Sequence, residues 1–257
     1  MVNNRQQLIK AIRGRRTSGK EEYAKPFFKW AGGKSQLLYE FDPRFPEDLS
    51  SGSINRYIEP FVGGGAVFFY ISQLYPLRQS IICDINAELI LAWQVVKKDV
   101  HSLINILREL QEAYDMRDLA EQQNLFYQVR EEMNRERSRF DFSSYGEHTI
   151  KRAAQLLFLN KTCFNGLLSV NSEGSFYVPA GRYRNPKILH EELLRSDSEL
   201  LENTGIHHGD FSLCAPFVDE KTFVYFDPPY RPLNRSSSFT SYSKGGFGDG
   251  EQRRQDS

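Results

Sequence analysis

Cysteine is scarce in this chain: Cys83, Cys163 and Cys214 stand at irregular spacing among 257 residues, with no CxxC pair. An odd, scattered set excludes a disulfide framework and predicts reduced thiols in a cytoplasm. Net charge is missing too, since Lys+Arg and Asp+Glu both number 33. That argues against a histone-like binder but leaves room for a local basic cleft. No apolar run approaches the length of a membrane span, and Met1 is not followed by a signal-peptide core. No internal repeat is visible. What remains, 40% hydrophobic and 26% charged, suffices for one large domain or a domain with an insertion.

Two nucleotide-binding signatures each lack a glycine. Gly63-Gly64-Gly65 follows Glu59-Pro60-Phe61-Val62 and leads into the apolar stretch Ala66–Leu74, but a dinucleotide fingerprint needs a third glycine where Phe68 stands. Lys29-Trp30-Ala31-Gly32-Gly33-Lys34-Ser35 looks like a phosphate loop, yet Phe28 occupies the place of the first Walker glycine. A Trp and a Lys around two glycines suit a cofactor with an aromatic ring and a carboxylate better than a triphosphate.

The rhythm is nonetheless that of an α/β protein. Residues 54–59 read as a strand, followed by the glycine turn, a helix, and a second strand at 80–83 ending in Asp84. An acid at that point, about twenty residues past the glycines, can accept both hydroxyls of a ribose. Residues 87–96 and 99–160 read as helical, with Leu103, Leu107, Leu110 and Tyr114 spaced by three and four. Residues 161–187 are broken by glycines and prolines and read as a loop or hairpin insertion. The α/β pattern resumes at Gly205–Asp210 and Phe223–Phe226. Residues 1–25 read as a polar, basic tail or frayed helix. One basic cluster lies there (Arg13, Arg15, Arg16, Lys20). A second (Arg130, Arg135, Arg137, Arg139, Lys151, Arg152, Lys161) is interleaved with Glu131, Glu132 and Glu136, so a solvated helix face is as good a reading as a nucleic-acid surface.

The most informative residues end the 223–226 strand: Asp227-Pro228-Pro229-Tyr230. Neither proline carries an N–H, so the turn offers acceptors outward: the Asp227 carboxylate and one or two main-chain carbonyls. A tyrosine face stands beside them. Such a turn suits a planar substrate bearing an –NH2, although Asp-Pro-Pro is also a common way to end a strand.

Taken in order, Lys29–Lys34, Glu59–Gly65, Asp84, Phe164-Asn165-Gly166-Leu167, Phe176–Tyr183 and Asp227–Tyr230 resemble the ordered motifs of the Dam family. These are the D12-class, S-adenosylmethionine-dependent DNA adenine-N6 methyltransferases, and the likeness extends to their restriction-modification members. It runs from about residue 26 to 242. It implies a Rossmann-like class I methyltransferase sheet, formed by residues 26–84 and 205–257, with a helical and loop DNA-recognition insertion at 85–204. The family's sheet has about seven strands and continues past the Tyr230 loop, so its C-terminal strands are expected to be missing here.

The resemblance further implies a cofactor site of Trp30, Lys34, Glu59, Phe61, Gly63, Gly65, Asp84, Asp210 and Asp227, with Lys34 facing the methionine carboxylate and Asp84 the ribose. Asp227, Pro228, Pro229 and Tyr230 would hold a flipped adenine, Tyr230 stacking on it. Duplex DNA would meet Lys161, Phe164, Asn165, Leu167, Ser169, Pro179 and Arg182. Arg184 and Lys187 join Lys161 and Arg182 as candidates for phosphate contacts. The enzyme would be cytoplasmic, from a bacterium or phage, and act on DNA as a monomer without a metal. Direct transfer to an amino group needs no enzyme nucleophile, whereas cytosine-C5 methylation needs a thiolate, and no cysteine here follows a proline in such a loop. Where the family places a guanine-reading arginine, two residues after the Leu, this chain has Ser169. Serine cannot make the bidentate contact to guanine, so the family's usual GATC site is not expected to be read with its usual stringency. Two other readings stay open: an inactive, truncated DNA-binding remnant, and an amino-methyltransferase acting on RNA or protein.

Overall fold

A computed structural model describes residues 2–13, 23–171 and 173–229. Helix α1 (Val2–Ile12) is followed by the short helices α2 (Leu38–Phe41) and α3 (Glu47–Ser51), then strand β1 (Arg56–Glu59) and helix α4 (Ala66–Leu74). Strand β2 (Gln79–Asp84) leads to helices α5 (Ala87–Lys98), α6 (Val100–Asp115), α7 (Leu119–Glu136) and α8 (Glu147–Thr162). Helix α9 (Glu191–Leu200) returns the chain to strands β3 (Thr204–His208) and β4 (Thr222–Val224).

The described strands form one parallel sheet in the order β3-β2-β1-β4. Parallel strands are buried on both faces, and β1 and β2 have the run of buried residues this demands: Tyr57, Ile58 and Glu59, then Ser80 to Cys83. Their register sets Glu59 beside Ile82 and Ile58 beside Val224, so both chains leave the sheet at the same edge. β4 ends at Val224, but the Tyr225 N–H still donates to the Ile58 carbonyl at 2.9 Å, which carries the ladder up to the Asp227 turn.

α4 starts from Gly65, at φ +72°, and is buried from Ala66 to Ile71. α5 is capped by Asn86, whose side chain accepts from Leu89 N, and packs on β2 and β3. A domain boundary at Asp84 would therefore cut a βα unit that the fold keeps whole. α6 buries Val100, Leu103, Ile104, Leu107 and Tyr114, the stripe its spacing predicts. α7 opens with an Asp118–Glu121 capping box. α8 is the pillar of the insertion: it is buried along most of its length and contacts α5, α6 and α7. The loop-rich reading of 161–187 agrees with a 3-10 turn at Phe164–Gly166 and two isolated bridges, Cys163 with Ala180 and Val170 with Phe176.

The N-terminal segment takes the helical of its two readings over residues 2–12, docked and not frayed. Residues 2–12 are helical, and Leu8, Ile9 and Ile12 join the main core with α1 against α4. Leu8, Ile9, Ala11 and Ile12, behind a run of Asn, Arg and Gln, make a weak stripe by sequence, yet burying them at about 25 cal/mol per Å² favours docking of one short helix. Arg15, Arg16 and Lys20 lie outside the described residues, as do Tyr230 and the chain beyond it. All three cysteines are buried free thiols. Among the described residues no helix is long and apolar enough to cross a membrane, and no group of His, Cys, Asp and Glu could hold a metal ion.

Candidate active site

Each of the four described parallel strands runs out into an acid at the same edge of the sheet: Glu59 ends β1, Asp84 ends β2, Asp210 follows β3 and Asp227 follows β4. Ligands of open α/β sheets sit beyond the carboxyl ends of the strands, where the strand order reverses. In the order β3-β2-β1-β4 that reversal lies at β1, so Glu59 and Asp227 flank it.

The Asp84 carboxylate accepts from Gly63 N at 3.0 Å and Asn86 N at 2.9 Å. Burial raises its pKa, and the two amides and nearby His208 pull it back. One acid thus joins the glycine turn after β1 to the cap of α5. The glycines themselves are enclosed by two indoles. A Cβ on Gly63 (φ +48°) would lie 2.6 Å from Trp30 Nε1, and one on Gly65 would lie 2.6 Å from Trp93. Trp93 also donates from Nε1 to the Gly63 carbonyl at 3.2 Å. A turn expected to admit a ligand to its backbone is therefore also the seat of Trp30.

Asp210 caps the 3-10 segment Phe211–Phe217, accepting from Ser212 N at 3.0 Å. The ring centroid of Phe61 lies 5.7 Å from that of Phe211 and 6.2 Å from that of Phe226. These partly exposed rings lie between the ends of β1, β3 and β4, and Ile85, 58% exposed, follows Asp84. Phe211 and Ile85 are not legible in the sequence as site residues, because each reads as an ordinary hydrophobe next to a more conspicuous acid.

Lys34 reaches across to the turn after β4. Its ammonium is ion-paired with Asp227 and also donates to the Gly32 carbonyl at 3.1 Å. Beneath them Glu59 is 3% exposed, taking a hydrogen bond from the Tyr57 hydroxyl at 2.7 Å. Burial, with the Asp227 charge adding to it, pushes the Glu59 pKa up to about 8, against the bond from Tyr57 and the Lys34 charge. So Trp30, Lys34, Glu59, Gly63, Asp84 and Asp227 are gathered at one edge, with Phe61 and Asp210 next to them. Pro228 and Pro229 follow Asp227 outside any strand.

The expected DNA-side residues split. Phe164, Asn165, Pro179 and Arg182 are exposed, and Asn165 takes φ +55° at the tip of its turn, with Phe164 N bonded to Pro179 O at 2.9 Å. Leu167 and Ser169 are half-buried behind them, while Arg184 and Lys187 are exposed. Lys161 does not belong with this group. Its ammonium turns inward to the Phe27 carbonyl, and burial pushes its pKa down to about 8. A cation held this way is not presented to a phosphate.

Among the described residues, a four-stranded parallel sheet with acids at its carboxyl edge and an Asp-Pro-Pro turn at the switch defines an α/β fold of the ligand-binding kind. The family model of the D12 class N6 adenine-specific DNA methyltransferases matches residues 30–257. The chain is 49% identical over 230 residues to the type II methyltransferase M.MjaIII of Methanocaldococcus jannaschii, covering 90% of this chain and 77% of that protein. It is 39% identical over 232 residues to the type II methyltransferase M1.LlaDCHI of Lactococcus lactis (90% and 74% covered). To the DNA adenine methylase of Escherichia coli K12 it is 33% identical over 221 residues (86% and 70% covered). The chain belongs to the D12 class of N6 adenine-specific DNA methyltransferases.

Proposed function

We propose that this enzyme transfers the methyl group of S-adenosylmethionine to N6 of an adenine flipped out of duplex DNA at a specific site, in a restriction-modification system. The observation that carries the reading is the pairing of the Asp227 turn with Lys34 at the sheet's switch point. Support for the restriction-modification context is that two relatives are named type II methyltransferases.

The residues at the sheet edge fit the cofactor. Asp84 accepts the ribose hydroxyls, the Phe61 and Phe211 rings border the adenine, and Trp30 covers the glycine turn. Lys34 meets the methionine carboxylate. Asp84, Asp210 and Asp227 concentrate negative potential where a cationic sulfonium would lie. S-adenosylmethionine, when bound, supplies an electrophilic methyl group on that sulfonium.

Asp227 and the Pro228 carbonyl accept the two N6 hydrogens of the target base. Adenine N6 is a poor nucleophile because its lone pair is delocalised into the ring. Two acceptors in the plane of the Asp-Pro turn favour the pyramidal nitrogen and stabilise the positive charge it develops. The N6 lone pair would form the new N–C bond as the C–S bond broke with its electron pair going to sulfur, and one N6 proton would then pass to water. No enzyme nucleophile takes part. The base leaves the stack to reach the turn, with Phe164 and Asn165 on the exposed insertion beside the helix it vacates.

Incubating the chain with methyl-labelled S-adenosylmethionine and duplex DNA, then hydrolysing to nucleosides, tests this. Label in N6-methyladenine is the expected result. Label in cytosine, in an RNA oligonucleotide or in protein instead would overturn it, and no transfer from a folded, cofactor-binding chain would favour an inactive DNA-binding remnant.

A further inference from the structure

Two side chains of α8, Asn160 and Arg152, reach across to segments of the cofactor side, and Asn160 holds a backbone in two directions. Asn160 has no exposed surface. Its Oδ1 accepts from Lys29 N at 2.8 Å, and its Nδ2 donates to Lys29 O and to Gly166 O, each at 2.9 Å. Both main-chain groups of Lys29 are thus bound as a neighbouring strand would bind them, and the spare donor holds the turn that carries Asn165. Gly166, at φ +66°, closes the contact: a Cβ there would lie 2.4 Å from Lys29 Cδ. One residue beyond Lys29, Trp30 covers Gly63 and Gly64, and five beyond, Lys34 pairs with Asp227. One residue before Gly166, Asn165 stands exposed next to Phe164.

Two turns earlier on α8, Arg152 is 1% exposed, donates from Nε to Glu88 Oε2 at 3.0 Å and binds the Met133 carbonyl at 2.6 Å. Glu88 lies in the first turn of α5, just past Asp84 and Asn86. Between that turn and the 168–176 segment lies an open cleft of about 270 Å³, lined by Trp30, Glu88 and Arg152 among others.

We propose that Asn160 is a positioning residue that couples the DNA-contacting turn at Phe164–Gly166 to the cofactor-side loop at Lys29–Lys34. A shift of the turn on DNA moves the Gly166 carbonyl, and through Asn160 the Lys29 backbone, and with it Trp30 and Lys34. Such coupling is reciprocal: whatever cofactor binding does for DNA affinity, DNA does for cofactor affinity by the same factor. The proposal rests on the assignment of the two sides given above.

The test is a binding cycle. Sinefungin affinity is measured with and without duplex, and duplex affinity with and without sinefungin, using a GATC duplex and a randomised duplex pool. The unmodified chain should show a mutual tightening of roughly tenfold, within the range usual for allosteric coupling. In Asn160→Ala each binary affinity should stay within about threefold while the coupling factor falls toward one. Gly166→Ala, which strains the other side of the same contact without touching the buried helix, should lower the coupling as well, and it decides the matter if Asn160→Ala does not fold. A variant pair that keeps the full coupling factor overturns the proposal. So does an unmodified chain that binds both ligands with no mutual effect. Failure to bind either ligand would instead sink the assignment of the two sides, and the proposal with it.

Discussion

Lys34 and Asp227 form an ion pair across the switch point of the sheet, 11% and 20% exposed, with the buried Glu59 carboxyl beneath them. Their separation in sequence is 193 residues: Lys34 comes from the 3-10 turn before α2, and Asp227 follows β4. The pair places a cation from the turn before α2 against the anion that follows β4, at the proposed reaction centre. Each has a second partner in the proposed reaction: the methionine carboxylate for Lys34, the adenine amino group for Asp227. Part of the binding of cofactor and base would then be an exchange of partners within a preformed ion pair, which keeps both charges satisfied in a partly buried site.

Asp227→Ala should remove methyl transfer while leaving duplex binding nearly unchanged. Losing one preorganised acceptor at a developing positive charge costs roughly 10²-fold or more in rate. Single-turnover kinetics set beside fluorescence anisotropy on the same duplex separates the two effects. A variant that turns over at the normal rate would remove this turn from the catalytic site.

Lys34→Ala should weaken cofactor binding by roughly 10- to 100-fold, the worth of a hydrogen bond to a charged group. The diagnostic is a comparison with decarboxylated S-adenosylmethionine. The unmodified chain should bind that analogue much more weakly than the cofactor, and Lys34→Ala should bind the two nearly alike. If the variant still discriminates between them as the unmodified chain does, Lys34 does not read the carboxylate.

Much of this edge is legible in the amino-acid sequence. An apolar run that stops at an acid is a local pattern: Glu59, Asp84 and Asp227 each end one, with proline next at Glu59 and Asp227, while Asp210 is marked by the Gly209 before it. What is not legible depends on distant backbone. Asn160 shows no pattern because its partners are main-chain groups of Lys29 and Gly166. Lys161, at the end of a helix before a polar loop, looks like a solvent-facing cation, and only the approach of the Phe27 carbonyl turns it inward. α1 escapes a reading by pattern because its apolar residues bunch at Leu8–Ile12 and give little periodicity, and so short a helix depends on packing against α4.

Ser169 predicts relaxed reading of DNA. A bidentate arginine–guanine contact contributes ~1–3 kcal/mol of discrimination, and serine cannot replace it. Mapping N6-methyladenine in DNA from a host expressing the chain should show tolerated neighbours of GATC or a shifted site. Ser169→Arg should narrow the set at one position. Methylation confined to GATC in the unmodified chain would show that another group reads that base.

Glu59 predicts a stability that falls as pH rises through neutrality. In the unfolded chain its carboxyl ionises near the ordinary value of 4.5, whereas in the fold burial holds the pKa at about 8. Below 4.5 both states are protonated and Glu59 contributes no difference. Between the two values the unfolded chain has released the proton and the folded chain keeps it, so the unfolded state is favoured increasingly, by up to ~1.4 kcal/mol per pH unit. Above about 8 both states are ionised and the penalty is constant. Glu59→Gln cannot ionise and can still accept from the Tyr57 hydroxyl, so it isolates the proton from the packing. The melting temperature of the variant relative to the unmodified chain should therefore climb from about pH 5 to about pH 8 and then level off. A difference that is flat over that range would mean that Glu59 is already ionised in the fold, with the Lys34 charge outweighing its burial.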